Sequence, residues 1–319
     1  AGEKSHAHDA GDNRPGSSGV AERPSLEWTH GPKKVLVIRV DFSDLVGAPI
    51  RTDDSVVITD EVVVNLFNGA NGVRDFFHES SYGKTALQLA AAVAGDSPEV
   101  TAVLRMPQTA AHYATNDFTT LLHSDARAAA QATGLNVDSY DRIGLVFSRL
   151  SAIAGSKIDF GGLGSVTGKN FWINGQFGFG TVAHEIGHNY GLYHASLWQV
   201  TDGNPISLTG TSTEYGDIFD VMGDGKTIAD TFSHWNKSIL QWIPDTAVTL
   251  AGAPGTFRVY RFDTAAPNLA NPRALKIVRD ATRDYWIGYR RGTGNASLNG
   301  GAYVIWGYNT NQRGNLLDL

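Results

Sequence analysis

No cysteine occurs in the sequence, so neither a disulfide nor a thiolate ligand is available and the fold holds without covalent cross-links. Long apolar runs are absent too. Nothing approaches the roughly 20 consecutive apolar residues that would span a bilayer, and the chain opens on a polar segment rather than a charged-then-apolar export signal. Positive charge is scarce, with 26 Lys and Arg against 32 Asp and Glu for a net charge of -6. That leaves no electrostatic footprint for nucleic acid or an anionic membrane surface. Methionine is rarer still, at two residues. What remains is an ordinary globular chain of 319 residues, 42% hydrophobic and 18% charged, with enough apolar content for a sizeable core and a smaller companion domain.

The residues that carry chemistry are concentrated in His184-Glu-Ile-Gly-His-Asn-Tyr-Gly-Leu-Tyr-His194. On a helix, positions i and i+4 share a face, so His184 and His188 can aim at one ion while Glu185 stands beside it without ligating. Gly191 falls where a residue in the left-handed region ends a helix and turns the chain, which would return His194 to the same ion. Three imidazoles with a fourth position left to water make the ligand set of a catalytic zinc site. A single histidine is usually a satisfied surface or core residue, but the five fixed positions together should recur by chance in roughly 3 of 100,000 chains of this length and composition. Val182, Ile186 and Tyr190 give the same helix an apolar face.

Residues 1–31, rich in Gly, Ser, Asp and Pro, read as a flexible segment, with His6 and His8 as solvated tail residues outside the site. Residues 32–244 are expected to form the catalytic domain, an α/β (α+β) fold with a twisted mixed sheet and the zinc-binding helix. Its expected elements are a buried strand at Val35–Val40, a helix over 71–80, a strand from Thr85 to Ala94, a helix over 116–132 with Phe118, Leu121, Leu122 and Ala129 inward, and a strand at Ile143–Phe147. The glycine-rich stretch Phe160–Gly168 is either a loop or an edge strand of little bulk, onto which an extended peptide could add. Phe171–Ile173 follows as a strand, and a helix over Thr231–Ile243 ends before Pro244. From 245 to 319 the runs Thr256–Tyr260, Leu275–Val278, Tyr285–Tyr289 and Tyr303–Trp306 suggest a small antiparallel β domain, truncated if the pattern continues beyond Leu319. Its aromatics serve either as core or as a platform for carbohydrate or glycoprotein.

The zinc motif, together with Met222 in Asp217-Ile-Phe-Asp-Val-Met-Gly-Asp224, resembles the signature of the metzincin zinc peptidases. The nearest likeness is to the gametolysin-like family, and a more distant one is to the immune-inhibitor-A-like group. Lys34–Asp44, Phe76–Lys84, Glu214–Asp217 and Asp220–Gly223 add to that likeness, which spans 33–319. The resemblance implies a secreted zinc endopeptidase, its leader not part of this sequence, with His184, His188 and His194 as ligands and Glu185 as general base. Met222 would support the histidines from below, and the substrate would be an extended protein or peptide. Asp224 stands where some metzincins carry a tyrosine that stabilises the transition state, so that role falls to Tyr215, Tyr193 or His234, or to none of them. With no cysteine, no thiol can block the metal in a latent form.

Two other readings stay open on sequence alone. Glu214 could replace His194 as third ligand, as in thermolysin-like peptidases, or the chain could be an inactive zinc-stabilised binding or adhesion protein that works through its β domain. Asp217, Asp220 and Asp224 could gather a calcium ion, though their spacing matches no dedicated calcium loop.

Overall fold

In the computed structural model the run Val35–Val40 lies inside strand β2 (Gly31–Asp41), which is buried without a break from Val35 to Asp41. A continuous apolar run of this kind suits a strand covered on both faces in a parallel sheet. The structure describes residues 6–8, 22–90, 99–116, 119–225, 231–291, 301–309 and 311–317. Its chain divides into two compact units, one within Ala1–Asp12, Pro32–Asp75 and Ala86–Asn189, the other within Asn13–Gly31, Phe76–Thr85 and Tyr190–Leu319.

In the first unit β2 pairs in parallel with β5 (Arg142–Phe147), and β5 pairs in parallel with β7 (Asn170–Asn174). The short strand β6 (Gly162–Gly164) runs antiparallel to β7. Residues 6–8, within the segment expected to be flexible, form β1 (His6–His8) and pair in parallel with β6. On the other side lie β3 (Thr85–Gln88) and β4 (Leu104–Arg105). Helix α2 (Asp60–Asn68) is capped by the Thr59 hydroxyl, which accepts from the Val62 N–H, with Asp60 and Glu61 in its first turn. The core gathers Leu36, Ile38, Phe42, Tyr113, Leu145 and Trp172 among others.

The expected helix over 116–132 is met by α5 (Thr119–Ala132), with α4 (Ala110–Asn116) before it in the chain. Leu121 is 39% exposed, because Leu122, Ala126 and Ala130, at i, i+4 and i+8, define the inward stripe one position further on. Ala129 is half-buried, while Phe118 and the last four residues of the expected Thr85–Ala94 strand lie outside the described residues.

The second unit holds α1 (Leu26–Thr29), most of α3 (Val73–Ser80) and α7 (His234–Ile239). It also holds a sheet ordered β10-β11-β12-β13-β14-β8-β9, made of β8 (Ala195–Val200), β9 (Gly210–Thr213), β10 (Val248–Leu250), β11 (Ala274–Val278), β12 (Arg283–Tyr289), β13 (Ala302–Tyr308) and β14 (Gly314–Leu317). The sheet is mixed, not antiparallel, because β10 and β11 pair in parallel and β14 recruits β8 in parallel from far upstream. Thr256–Tyr260 forms no strand. Glycines let α7 approach the sheet: a Cβ at Gly288 would lie 2.6 Å from His234 Nδ1, and one at Gly314 2.7 Å from the Trp235 ring. Phe77 of α3 stacks on Tyr190 at 5.2 Å and meets Phe232 at 5.6 Å, with Trp242 beside them. Trp286, Tyr303 and Trp306 are buried, as core aromatics are.

Candidate metal centre

The zinc-motif helix is α6 (Phe179–Tyr190), and every residue from Val182 to Tyr190 is buried. The apolar face expected at Val182, Ile186 and Tyr190 is therefore only part of what this helix buries. Its histidine side is covered as well. The His184 and His188 rings meet at 4.7 Å in an edge-to-face pair, as the i, i+4 spacing requires. Gly191 follows with φ +116°, a left-handed turn that a side chain would strain. The turn carries His194 back, and one ligand atom from each of the three imidazoles lies within 4.8 Å of the others. Among the described residues these three form the single group of histidine or acidic side chains so arranged. Glu214 is not a member. Three buried imidazoles fit a borderline-soft cation such as Zn2+, whose nitrogen ligands sit at about 2.0–2.1 Å.

Glu185 is fully buried between the two helical histidines, and the glycine-rich stretch is what covers it. A Cβ at Gly162 would fall 2.3 Å from Glu185 Oε1; one at Gly164 would fall 2.5 Å from the Glu185 carbonyl oxygen and 2.8 Å from His188 Cβ. Only glycine lets β6 pass this close to the helix. Asn189 fastens the same region, its amide donating to the Ser165 and Asn170 carbonyls at 3.1 and 2.8 Å. The Thr167 N–H donates to the His188 carbonyl at 3.0 Å.

The segment bearing His194 is braced by the stretch around Met222. The Ala195 N–H donates to the Met222 carbonyl at 2.9 Å, and a Cβ at Gly223 would fall 2.0 Å from the Asp217 carbonyl oxygen. Met222 is fully buried, and its N–H donates to Asp220 Oδ1 at 2.8 Å. Asp220 Oδ2 accepts from the Ser233 N–H and the Asn236 amide at 2.6 and 2.9 Å. Asp217 accepts from the Phe219 N–H at 3.0 Å and from the Tyr303 hydroxyl. All four carboxylate oxygens of this pair are thus committed to N–H or O–H donors. Asp224 is exposed. Burial, reinforced by the Asp220 charge, pushes the Asp217 carboxyl up to about 7, and burial raises Asp220 as well.

His194 Nδ1 lies 2.7 Å from Glu214 Oε1, and the Tyr215 ring packs on the imidazole with centroids 3.8 Å apart. Tyr193 lies under the Arg313 guanidinium at 5.3 Å. His234 is enclosed by Phe262 and Tyr303 at 5.1 and 5.7 Å, and burial lowers its pKa to about 3, which keeps the ring neutral. The sequence gives no sign of the Tyr303–Asp217 bond or of the Arg290 donation to the Phe219 carbonyl at 2.7 Å, because both join segments about 70 to 90 residues apart.

A family model described as Gametolysin peptidase M11 matches residues 34–266. Two crystal forms of wild-type OgpA from Akkermansia muciniphila are similar in structure. The P 41 21 2 form is 12% identical with a TM-score of 0.38, covering 82% of this chain and 71% of that one. The P 21 21 21 form is 10% identical with a TM-score of 0.38, covering 94% of each. No curated protein gives a significant match.

Proposed function

The chain belongs to the gametolysin peptidase M11 family of metallopeptidases, and on that premise we propose that it is a secreted zinc endopeptidase of metzincin type acting on protein or glycoprotein substrates. The observation that carries this reading is the convergence of His184, His188 and His194 beside a buried Glu185. A zinc ion held by the three imidazoles would supply Lewis acidity to the scissile carbonyl and to the attacking water. The Glu185 carboxylate takes a proton from that water and hands it to the leaving amine. Tyr215 is the favoured transition-state donor, since its ring lies against His194 while Tyr193 and His234 are engaged elsewhere.

An extended substrate adds along β6, the strand that passes over Glu185. Backbone pairing there holds substrates of varied sequence, with side-chain pockets left to choose among them. Residues 6–8 now pair with that strand, so the substrate takes their place. No helix among the described residues is long and apolar enough to cross a membrane. The test is Glu185→Ala, which should still bind one zinc but lose nearly all hydrolysis of a quenched peptide. Full activity in the zinc-loaded variant would dismiss the base assignment, and activity that survives a chelator would dismiss the metal.

A further inference from the structure

We propose that Glu214 is a positioning residue that fixes the tautomer and orientation of His194, and with them the affinity of the metal centre. The inference rests on the reading of His184, His188 and His194 as ligands of one ion.

Strand β9 pairs antiparallel with β8 in the register Leu197↔Thr213, so the next step along the hairpin sets Glu214 across from Ser196, two residues beyond His194. The Gly216 N–H donates to the Thr213 carbonyl at 3.1 Å and closes a turn around Glu214 and Tyr215. Tyr215 occupies the left-handed region at φ 60°, where a bulky residue is strained. That conformation sets its ring on the His194 imidazole at 3.8 Å, and a costly conformer at this point is held in place by what it packs against. Carboxylate and phenol thus grip one ring, the first by its edge and the second by its face.

The chemistry follows from the partners. A carboxylate oxygen accepts, so the pairing of Nδ1 with Glu214 Oε1 at 2.7 Å favours the tautomer with the proton on Nδ1. In that tautomer the ligating lone pair of His194 is on Nε2. Without Glu214 the ring could take the other tautomer or rotate, and zinc would meet the wrong nitrogen part of the time. Glu214 stands outside the three-histidine group. The His194 side chain is 4% exposed while that of Glu214 is 57% exposed. Removing the carboxylate therefore opens little buried space and should cost the apo fold little, while the ring it steers is buried.

The experiment compares wild type, Glu214→Gln and Glu214→Ala by competition for zinc against a chromophoric chelator, alongside the thermal midpoint of each protein without and with zinc. Outer-shell partners of ligating histidines are worth roughly 10–100-fold in metal affinity. Glu214→Ala should therefore bind zinc at least tenfold more weakly, with an unchanged apo midpoint and a smaller zinc-dependent rise. Glu214→Gln keeps an acceptor oxygen and should recover most of the affinity. The proposal is overturned if Glu214→Ala binds zinc within twofold of wild type. It is also overturned if both variants weaken equally while their apo midpoints fall, since that pattern marks a merely structural residue. Wild-type protein that binds no zinc at the histidines would remove the parent reading instead, so the two failures are distinguishable.

Discussion

Alanine at Gly162 or Gly164 tests the proximity of β6 to the catalytic helix, and the two positions should fail in different ways. Neither glycine has positive φ, so space rather than backbone conformation excludes a side chain. At Gly162 the new methyl would lie 2.3 Å from Glu185 Oε1, about 1 Å inside an ordinary van der Waals contact. The methyl would also lie 2.8 Å from Glu185 Cδ and Cγ, so the whole buried side chain has to swing aside, although no backbone atom is met. Gly→Ala also recovers about 0.4–1 kcal/mol by stiffening the unfolded chain, so the net stability change should be near zero. The displaced atom is nevertheless the proposed base, and a misplacement of about 1 Å can cost roughly 100-fold in rate. Gly162→Ala should therefore keep its thermal midpoint and its zinc while kcat on a quenched peptide falls by about two orders of magnitude. At Gly164 the methyl meets the Glu185 carbonyl oxygen at 2.5 Å and His188 Cβ at 2.8 Å. Backbone cannot rotate away, so the helix or the strand has to move, at about 1–3 kcal/mol, and zinc affinity should fall with stability. The measurements are differential scanning calorimetry, metal content and steady-state kinetics on the same preparations. A fully active Gly162→Ala enzyme would show that β6 does not confine Glu185 and would refute the reasoning.

Two further outcomes follow from the same geometry. Deleting residues 1–12 frees the outer edge of β6 and should raise kcat/KM for an extended peptide without changing zinc content; an unchanged value would mean that substrate does not use this edge. Asp217, whose folded pKa of about 7 exceeds its ordinary value of 3.8, binds its proton more tightly in the folded state. Its contribution to stability is full below about pH 4 and is lost as pH rises toward 7. Asp217→Asn should therefore gain stability relative to wild type over that window, read from urea midpoints of the apo proteins; a difference that stays flat with pH would count against a protonated Asp217.

The grouping of the three imidazoles is legible in eleven contiguous residues because a helix turns one-dimensional spacing into a shared face, and a glycine at φ +116° supplies the turn that returns the third imidazole. Strand Val35–Val40 is legible for a similar reason, since burial on both faces demands an unbroken apolar run. What sequence alone leaves open depends on partners far along the chain. Nothing in Ala195–Val200 announces that it will lie parallel to Gly314–Leu317, so the C-terminal sheet reads as antiparallel and self-contained when it is neither. Thr256–Tyr260 has strand composition, yet the Tyr260 N–H goes to the Pro272 carbonyl at 2.8 Å outside any ladder.

The glycines of Phe160–Gly168 are the instructive intermediate case. Their small size leaves loop and edge strand equally open, and the choice falls only when Glu185 and His188 are found beneath them. Here the absence of side chains is what permits the close approach. A strand with any Cβ at 162 or 164 would hold the sheet edge away from the carboxylate, and on the proposed reading a substrate pairing along that edge would then present its peptide bond too far from the zinc.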